Sequence, residues 1–167
     1  MPLRDANVDI EVLCYDKFLV VAGARSRWAR RGKMLLADLE QEPWVMFPKD
    51  SLIEKHFSQA LRADGSWVAA GAITSFSMHV RMQLLATGRF LTILHSSTLR
   101  YYAKPWLLKA LPVDLAIPPV PIAVFTLRNR TLSPVVRLFI EQARAVSKSL
   151  IKDKRPQQLQ GRSSPLG

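Results

Sequence analysis

The 167-residue chain is 49% hydrophobic and 22% charged, which fits an ordinary globular domain or two small lobes with enough surface to bury a core. No run approaches the roughly 20 apolar residues needed to cross a bilayer, and Met1-Pro-Leu-Arg-Asp-Ala-Asn7 has no secretion core, so the reading is cytoplasmic with no membrane partner. A formal charge of +11 points first to nucleic acid, which makes its distribution along the chain the next question.

Cys14 stands alone among strand-like residues, which excludes a disulfide framework and argues against a thiolate metal cluster; a buried small hydrophobe is the reading. Phe18–Ala22 is fully apolar and ended by Gly23, predicting a strand buried on both faces. Arg25, Arg27, Arg30, Arg31 and Lys33 follow in one basic stretch. Leu35–Leu39 fits a short helical turn, and Trp44–Phe47 is a second apolar run stopped by Pro48.

Ser51-Leu-Ile-Glu54 is a capping box ahead of a helix with Ile53, Phe57 and Leu61 on one face, stopped at Asp64-Gly65. Trp67–Ala70 then reads as a strand. Ser75 or Ser77 can cap the next helix, where Met78, Met82 and Leu85 share a face and Gly88 supplies the stop. Phe90–Leu94 is a strand, Ser96-Ser97 open a short helix towards Tyr102, and Leu107–Val113 is extended.

Ile117-Pro-Pro-Val-Pro121 suits neither a helix interior nor a central strand and reads as a linker. Ile122–Leu127 is a strand and Arg128–Arg130 a turn. Ser133-Pro134 begins the clearest helix, with serine at the cap and proline first inside; Val135, Phe139, Ala143, Val146 and Leu150 line one face. Beyond about Lys152 periodicity stops and polar, Pro and Gly residues dominate, so 151–167 is read as a disordered basic tail. The segment from Ser147 to Gly167, with a net charge of +4, and the arginine stretch, with +5, together hold nine of the eleven excess charges. The rest is nearly balanced, and a solubilising role for both segments is favoured.

Alternating strands and helices give an α/β class, with βαβ units around mainly parallel sheets. Reactive groups do not converge. His56, His79 and His95 share no metal-ligand spacing, and the chain has no G-x-S-x-G elbow, phosphate loop or G-x-G-x-x-G. The 13 carboxylates are scattered, and the aromatic residues fall in apolar runs rather than on a base-stacking surface. No catalytic residue, metal or cofactor is expected, and the chain is not read as an enzyme.

The order of segments resembles the effector-binding domain of LysR-type transcriptional regulators over about residues 8–150. The segments that carry this are Asp16–Gly23, Leu36-Ala-Asp-Leu39 with Pro43–Pro48, Ile73-Thr-Ser75, Leu84–Leu94, Leu108–Pro112 and Ile122–Pro134. Each is weak by itself; six in order are specific. The resemblance implies a two-lobed, type 2 periplasmic-binding-protein-like fold. Residues 1–31 would be a remnant of lobe I with a first crossover near Gly23–Arg31. Residues 32–117 would form lobe II, and 118–150 a return crossover near Pro118–Ile122 with the last strand and helix of lobe I. The family's winged helix-turn-helix, linker helix and first βα units are not found in this sequence, so lobe I is expected to be incomplete.

Function then follows from the family. A small-molecule effector, commonly an organic acid or aromatic compound, occupies the cleft between lobes and favours their closed state. Thr74 and Ser75, ahead of a helix N-terminus, are the first candidates for effector binding, because hydroxyls and helix N–H groups hold carboxylates. Pro48 and Ser51, before the other capped helix, face the same cleft by analogy. Ser51, Ser75 and Ser77 equally suit simple helix capping, and one residue can do both. DNA would be reached only through the N-terminal domain of a full-length parent, within a homo-oligomer. A stand-alone solute-binding or interaction module is the first alternative. A basic nucleic-acid-binding protein is the second, and it requires steeply salt-dependent DNA binding.

Overall fold

Two strands open the chain, β1 (Val8–Asp16) and β2 (Phe18–Gly23), in a computed structural model that describes residues 7–48, 51, 73–115 and 117–152. They belong to different compact units. One unit is Met1–Tyr15 with Pro121–Gly167, the other Asp16–Val120. The helix expected after Ser51, the strand at Trp67–Ala70 and the tail beyond Lys152 lie outside the described residues.

The second unit is built on β2. Its partners are β5 (Leu91–His95) on one edge and β6 (Leu108–Ala110) on the other, both antiparallel, with Val20 opposite Ile93 and Ala22 opposite Lys109. Successive side chains on a strand point to opposite faces. Phe18, Val20 and Ala22 therefore enter one core with Trp28, Leu39, Trp44, Leu91 and Ile93. Val21 enters the other with Met82, Leu85, Leu94, Leu99 and Leu108. Unbroken apolarity in Phe18–Ala22 is the consequence of two cores, as the sequence predicted.

The passage between lobes was expected at Gly23–Arg31, yet the division of the chain falls at Tyr15–Asp16. The reason is that β2, hydrogen-bonded along both edges, cannot be separated from the sheet it centres. At the far end the division falls between Val120 and Pro121.

Two short strands, β3 (Val45–Met46) and β4 (Ile73–Thr74), pair in parallel, and a parallel bridge from Trp44 to Leu91 joins β3 to β5. The order is thus β4-β3-β5-β2-β6. The expectation of mainly parallel sheets needs correction at its centre: β2 is antiparallel to both neighbours, while β3, β4, β5 and β6 run the same way. Alternation of strands and helices reports element type. It is silent on the direction in which the first strand enters.

Helix α1 (Met78–Ala86) crosses from β4 to β5, and α2 (Ser96–Tyr102) leads from β5 towards β6. Met82 and Leu85 of α1 and Leu99 of α2 cover one face of the sheet. Among the described residues the other face is covered by single turns of 3-10 helix at Trp28–Arg30 and Leu36–Leu39 and by Trp44, whose indole N–H donates to the Leu39 carbonyl at 2.8 Å.

In the first unit β1 pairs with β7 (Val120–Leu127), followed by α3 (Pro134–Lys152). β7 starts two residues before the predicted Ile122 and includes Pro121, which an edge strand tolerates because the missing N–H need not join a ladder. β1 spans the strand-like residues around Cys14, to which the sequence assigned no bounds. Asp9 and Glu11 alternate with Val8, Ile10 and Val12, and both acids pair with arginines: Arg128 donates to Asp9 at 2.9 Å, and Arg144 grips Glu11 through two 2.7 Å bonds. Cys14 is buried and free, as expected.

Candidate functional site

β3 and β4 end side by side. Met46 is opposite Thr74, and the Ser75 N–H donates to the Met46 carbonyl at 3.1 Å. Pro48 follows β3, and the Ser51 N–H closes back on the Pro48 carbonyl at 2.9 Å. All four residues singled out in the sequence therefore sit at or beyond the carboxyl ends of two adjacent parallel strands, Thr74 as the last residue of β4. In open α/β sheets that is where loops diverge and leave a crevice for ligands. Thr74 is exposed; Pro48, Ser51 and Ser75 are half-buried.

The choice between Ser75 and Ser77 as the cap of α1 is decided by geometry. Ser77 is the cap, its hydroxyl accepting from the Val80 N–H at 3.3 Å. The Ser75 hydroxyl accepts from the Ser77 N–H at 3.1 Å, one step upstream. The start of α1 thus presents stacked N–H groups and two hydroxyls near the end of β4, a setting favourable to negative charge.

Two residues beside this place were not picked out by sequence. Phe47, between β3 and Pro48, lies under the guanidinium of Arg81, with the Arg81 carbon 3.8 Å from its ring centroid. Arg81 is fully buried, and burial pushes its pKa down to about 10. A signal for it existed. Arg81 falls on the stripe of Met78, Met82 and Leu85, where an apolar residue is expected.

Elsewhere in this unit a groove of about 410 Å³ is lined by Arg25, Arg27, Trp28 and Arg89. Arg27 is already engaged there, paired with Glu42 and lying over the Trp28 ring. Among the described residues no three His, Cys, Asp or Glu side chains converge as a metal site, and no helix is long and apolar enough to cross a membrane.

The sequence matches the LysR substrate binding domain over residues 1–148. The chain belongs to that family. Solved structures of LysR-type regulatory domains share its fold. The CcmR regulatory domain of Synechocystis PCC6803, in complex with 2-PG, is 20% identical with a TM-score of 0.69, over 90% of this chain and 72% of that one. The effector-binding domain of QuiR in complex with shikimate is 16% identical with a TM-score of 0.64, over 89% and 69%. The regulatory domain of HypT from Salmonella typhimurium is 18% identical with a TM-score of 0.64, over 88% and 68%. No curated protein matches the sequence at a significant level. As a LysR substrate-binding domain, the chain is a small-molecule effector-binding module of a LysR-type transcriptional regulator, with the type 2 periplasmic-binding-protein-like fold.

Proposed function

We propose that the effector of this LysR substrate-binding domain binds beyond the carboxyl ends of β3 and β4, against Pro48, Ser51, Thr74 and Ser75. The observation that carries this reading is the parallel register of Met46 with Thr74, which puts the two loops at one end of the sheet. The N-terminus of α1 opens from the same loop, and its N–H groups suit a small polar ligand. Complexes of CcmR with 2-PG and of QuiR with shikimate support a small metabolite as the ligand. Binding here would bias the regulator between two states rather than drive a reaction. Its output on DNA would be delivered in the cytoplasm by the DNA-binding part of the regulator, within a homo-oligomer.

The test is a thermal-shift screen of the chain with small metabolites, shikimate among them. A ligand that binds only the folded state raises the melting temperature with concentration, by about 2.7 kcal/mol of stabilisation at 100 times its Kd. A Thr74→Ala, Ser75→Ala double variant is expected to melt near the unmodified chain yet lose most of the shift. Equal shifts in both proteins would move the site elsewhere.

A further inference from the structure

The groove beside Trp28 stands at the opposite end of the sheet from the effector site. Pro43 precedes β3 and Arg89 precedes β5, two strands that run the same way through the Trp44–Leu91 bridge, so both residues mark amino ends. Pro48 and Thr74 mark carboxyl ends. The walls of the groove come from segments far apart in sequence. Arg25 and Arg27 follow β2, while Thr87, Gly88 and Arg89 join α1 to β5. Lys109 of β6 reaches the same basic stretch, where its ammonium donates to the Ala29 carbonyl at 2.6 Å.

The stretch is anchored rather than loose. Ser26, Trp28, Ala29 and Met34 are buried, and the Ser26 hydroxyl accepts from the Ala29 N–H at 3.2 Å. Around these anchors Arg25, Arg27, Arg30, Arg31 and Lys33 are exposed. Arg89 and Lys109 bring the cations of this face to seven. Among the described residues one ion pair answers them, Glu42 with Arg27. The C-terminal end of α1 adds about half a negative charge. Most of the positive charge is thus uncompensated within the unit. Solubility asks only for charge at the surface. It needs neither an anchored backbone nor two further cations folded in from β6 and the α1–β5 loop. Gathering like charges destabilises the compact chain unless an anion answers them.

We propose that this arginine face of the second unit is a contact for the phosphate backbone of duplex DNA, beside the contact made by the DNA-binding part of the regulator. The lining favours phosphate over an acidic protein. Protein interfaces draw most of their affinity from aromatic and other large anchors set in well-packed pockets. None of the large exposed hydrophobic residues lines this groove, and Trp28 is 2% exposed. Buried in that way, Trp28 also offers no surface on which unpaired bases could stack. Phosphate contacts require neither, since cations and counter-ion release supply essentially all of sequence-independent binding. The face adds affinity for DNA and no sequence preference. It stands or falls apart from the effector site at the other end of the sheet.

The experiment measures binding of the full chain to a fluorescein-labelled duplex of arbitrary sequence by anisotropy, over a salt series from about 50 to 200 mM. An Arg25→Gln, Arg31→Gln, Arg89→Gln variant removes three charges from the face. A Lys152→Gln, Lys154→Gln, Arg155→Gln variant removes three from the C-terminal segment. The face variant is expected to bind about tenfold or more weakly at the lowest salt, with a salt slope shallower by about 2 to 3, and the C-terminal variant to stay within about threefold of the unmodified chain. Arg25→Lys, Arg31→Lys and Arg89→Lys together keep the charge and should keep the binding. All three residues are exposed, so the face variant should melt near the unmodified chain. Should it fail to fold, Arg89→Gln alone takes its place, with a slope shallower by about 0.9. Equal losses in the face and C-terminal variants overturn the proposal, because net charge then accounts for binding without the face. So does an unmodified chain that leaves the duplex unbound at the lowest salt. Binding of poly-glutamate as tightly as a duplex of equal charge overturns it too, and makes an acidic protein the partner. None of these outcomes touches the effector-site reading, which the metabolite thermal shift tests separately.

Discussion

Asp16 and His95 meet at the start of the second unit, and both titrate out of their usual range. Asp16 is 4% exposed, with its carboxylate accepting from the Lys17 and Ser97 N–H groups and from the Ser96 and Ser97 hydroxyls. Burial acts to raise its pKa, but the Ser96 and Ser97 bonds and the nearby His95 together outweigh that and hold it below the usual 3.8. Its contribution to stability is therefore complete above that value and lost as pH falls through the folded-state value. Asp16→Asn should cost about 1–3 kcal/mol at pH 7, read from urea unfolding, with the difference narrowing towards pH 3. His95 stacks on Phe18 at 4.4 Å between centroids, and burial lowers its pKa from 6.5 against the opposing pull of Asp16. Below pH 6.5 the unfolded chain then takes up a proton that the folded chain refuses. Stability should fall between pH 7.5 and 5, and a His95→Gln variant should show a flatter profile over that window. None of this was legible beforehand, because Asp16 and His95 are far apart in sequence and each reads singly as a polar residue near a strand end.

Among the elements, α1 is the one on which the candidate site depends. Ser77 anchors its start, and Ser77→Ala should cost about 1 kcal/mol of stability by thermal denaturation. Its other end is fitted against β2. A Cβ built on Gly23 would lie 2.3 Å from the Leu85 carbonyl oxygen, a backbone atom that cannot swing aside. Gly23→Ala should therefore force the helix off the sheet and cost about 1–3 kcal/mol, measured the same way. Gly88, with φ of +74°, ends the helix in a conformation that favours glycine. The caps, the stop and the apolar stripe of α1 were all readable from spacing, since they are local. The burial of Arg81 was not. A long cationic side chain on an apolar stripe can equally run out to solvent, and packing alone decided that it does not.

At the scale of the molecule the two units differ in how well they are closed. Both hydrophobic cores lie within the Asp16–Val120 unit. The other unit leaves large apolar residues in the open: Phe125 on β7 and Val135 and Phe139 on α3 are 54%, 76% and 65% exposed. Exposed apolar surface of that kind promotes association. A fragment of residues 16–120 should melt cooperatively and elute as a monomer. The whole chain should bind more of a hydrophobic dye such as ANS and elute larger by light scattering; a sharp monomer with little dye bound would contradict this. From sequence alone, the family, the α/β class, most of the described strands and helices, and the loops around Pro48, Ser51, Thr74 and Ser75 could be read, because periodicity, caps and turn residues act over a few positions. The antiparallel placement of β2, the division of the chain at Asp16, the pairing of Asp16 with His95 and the burial of Arg81 belong to tertiary structure. Each depends on residues tens of positions apart being packed into contact, and no local pattern encodes that.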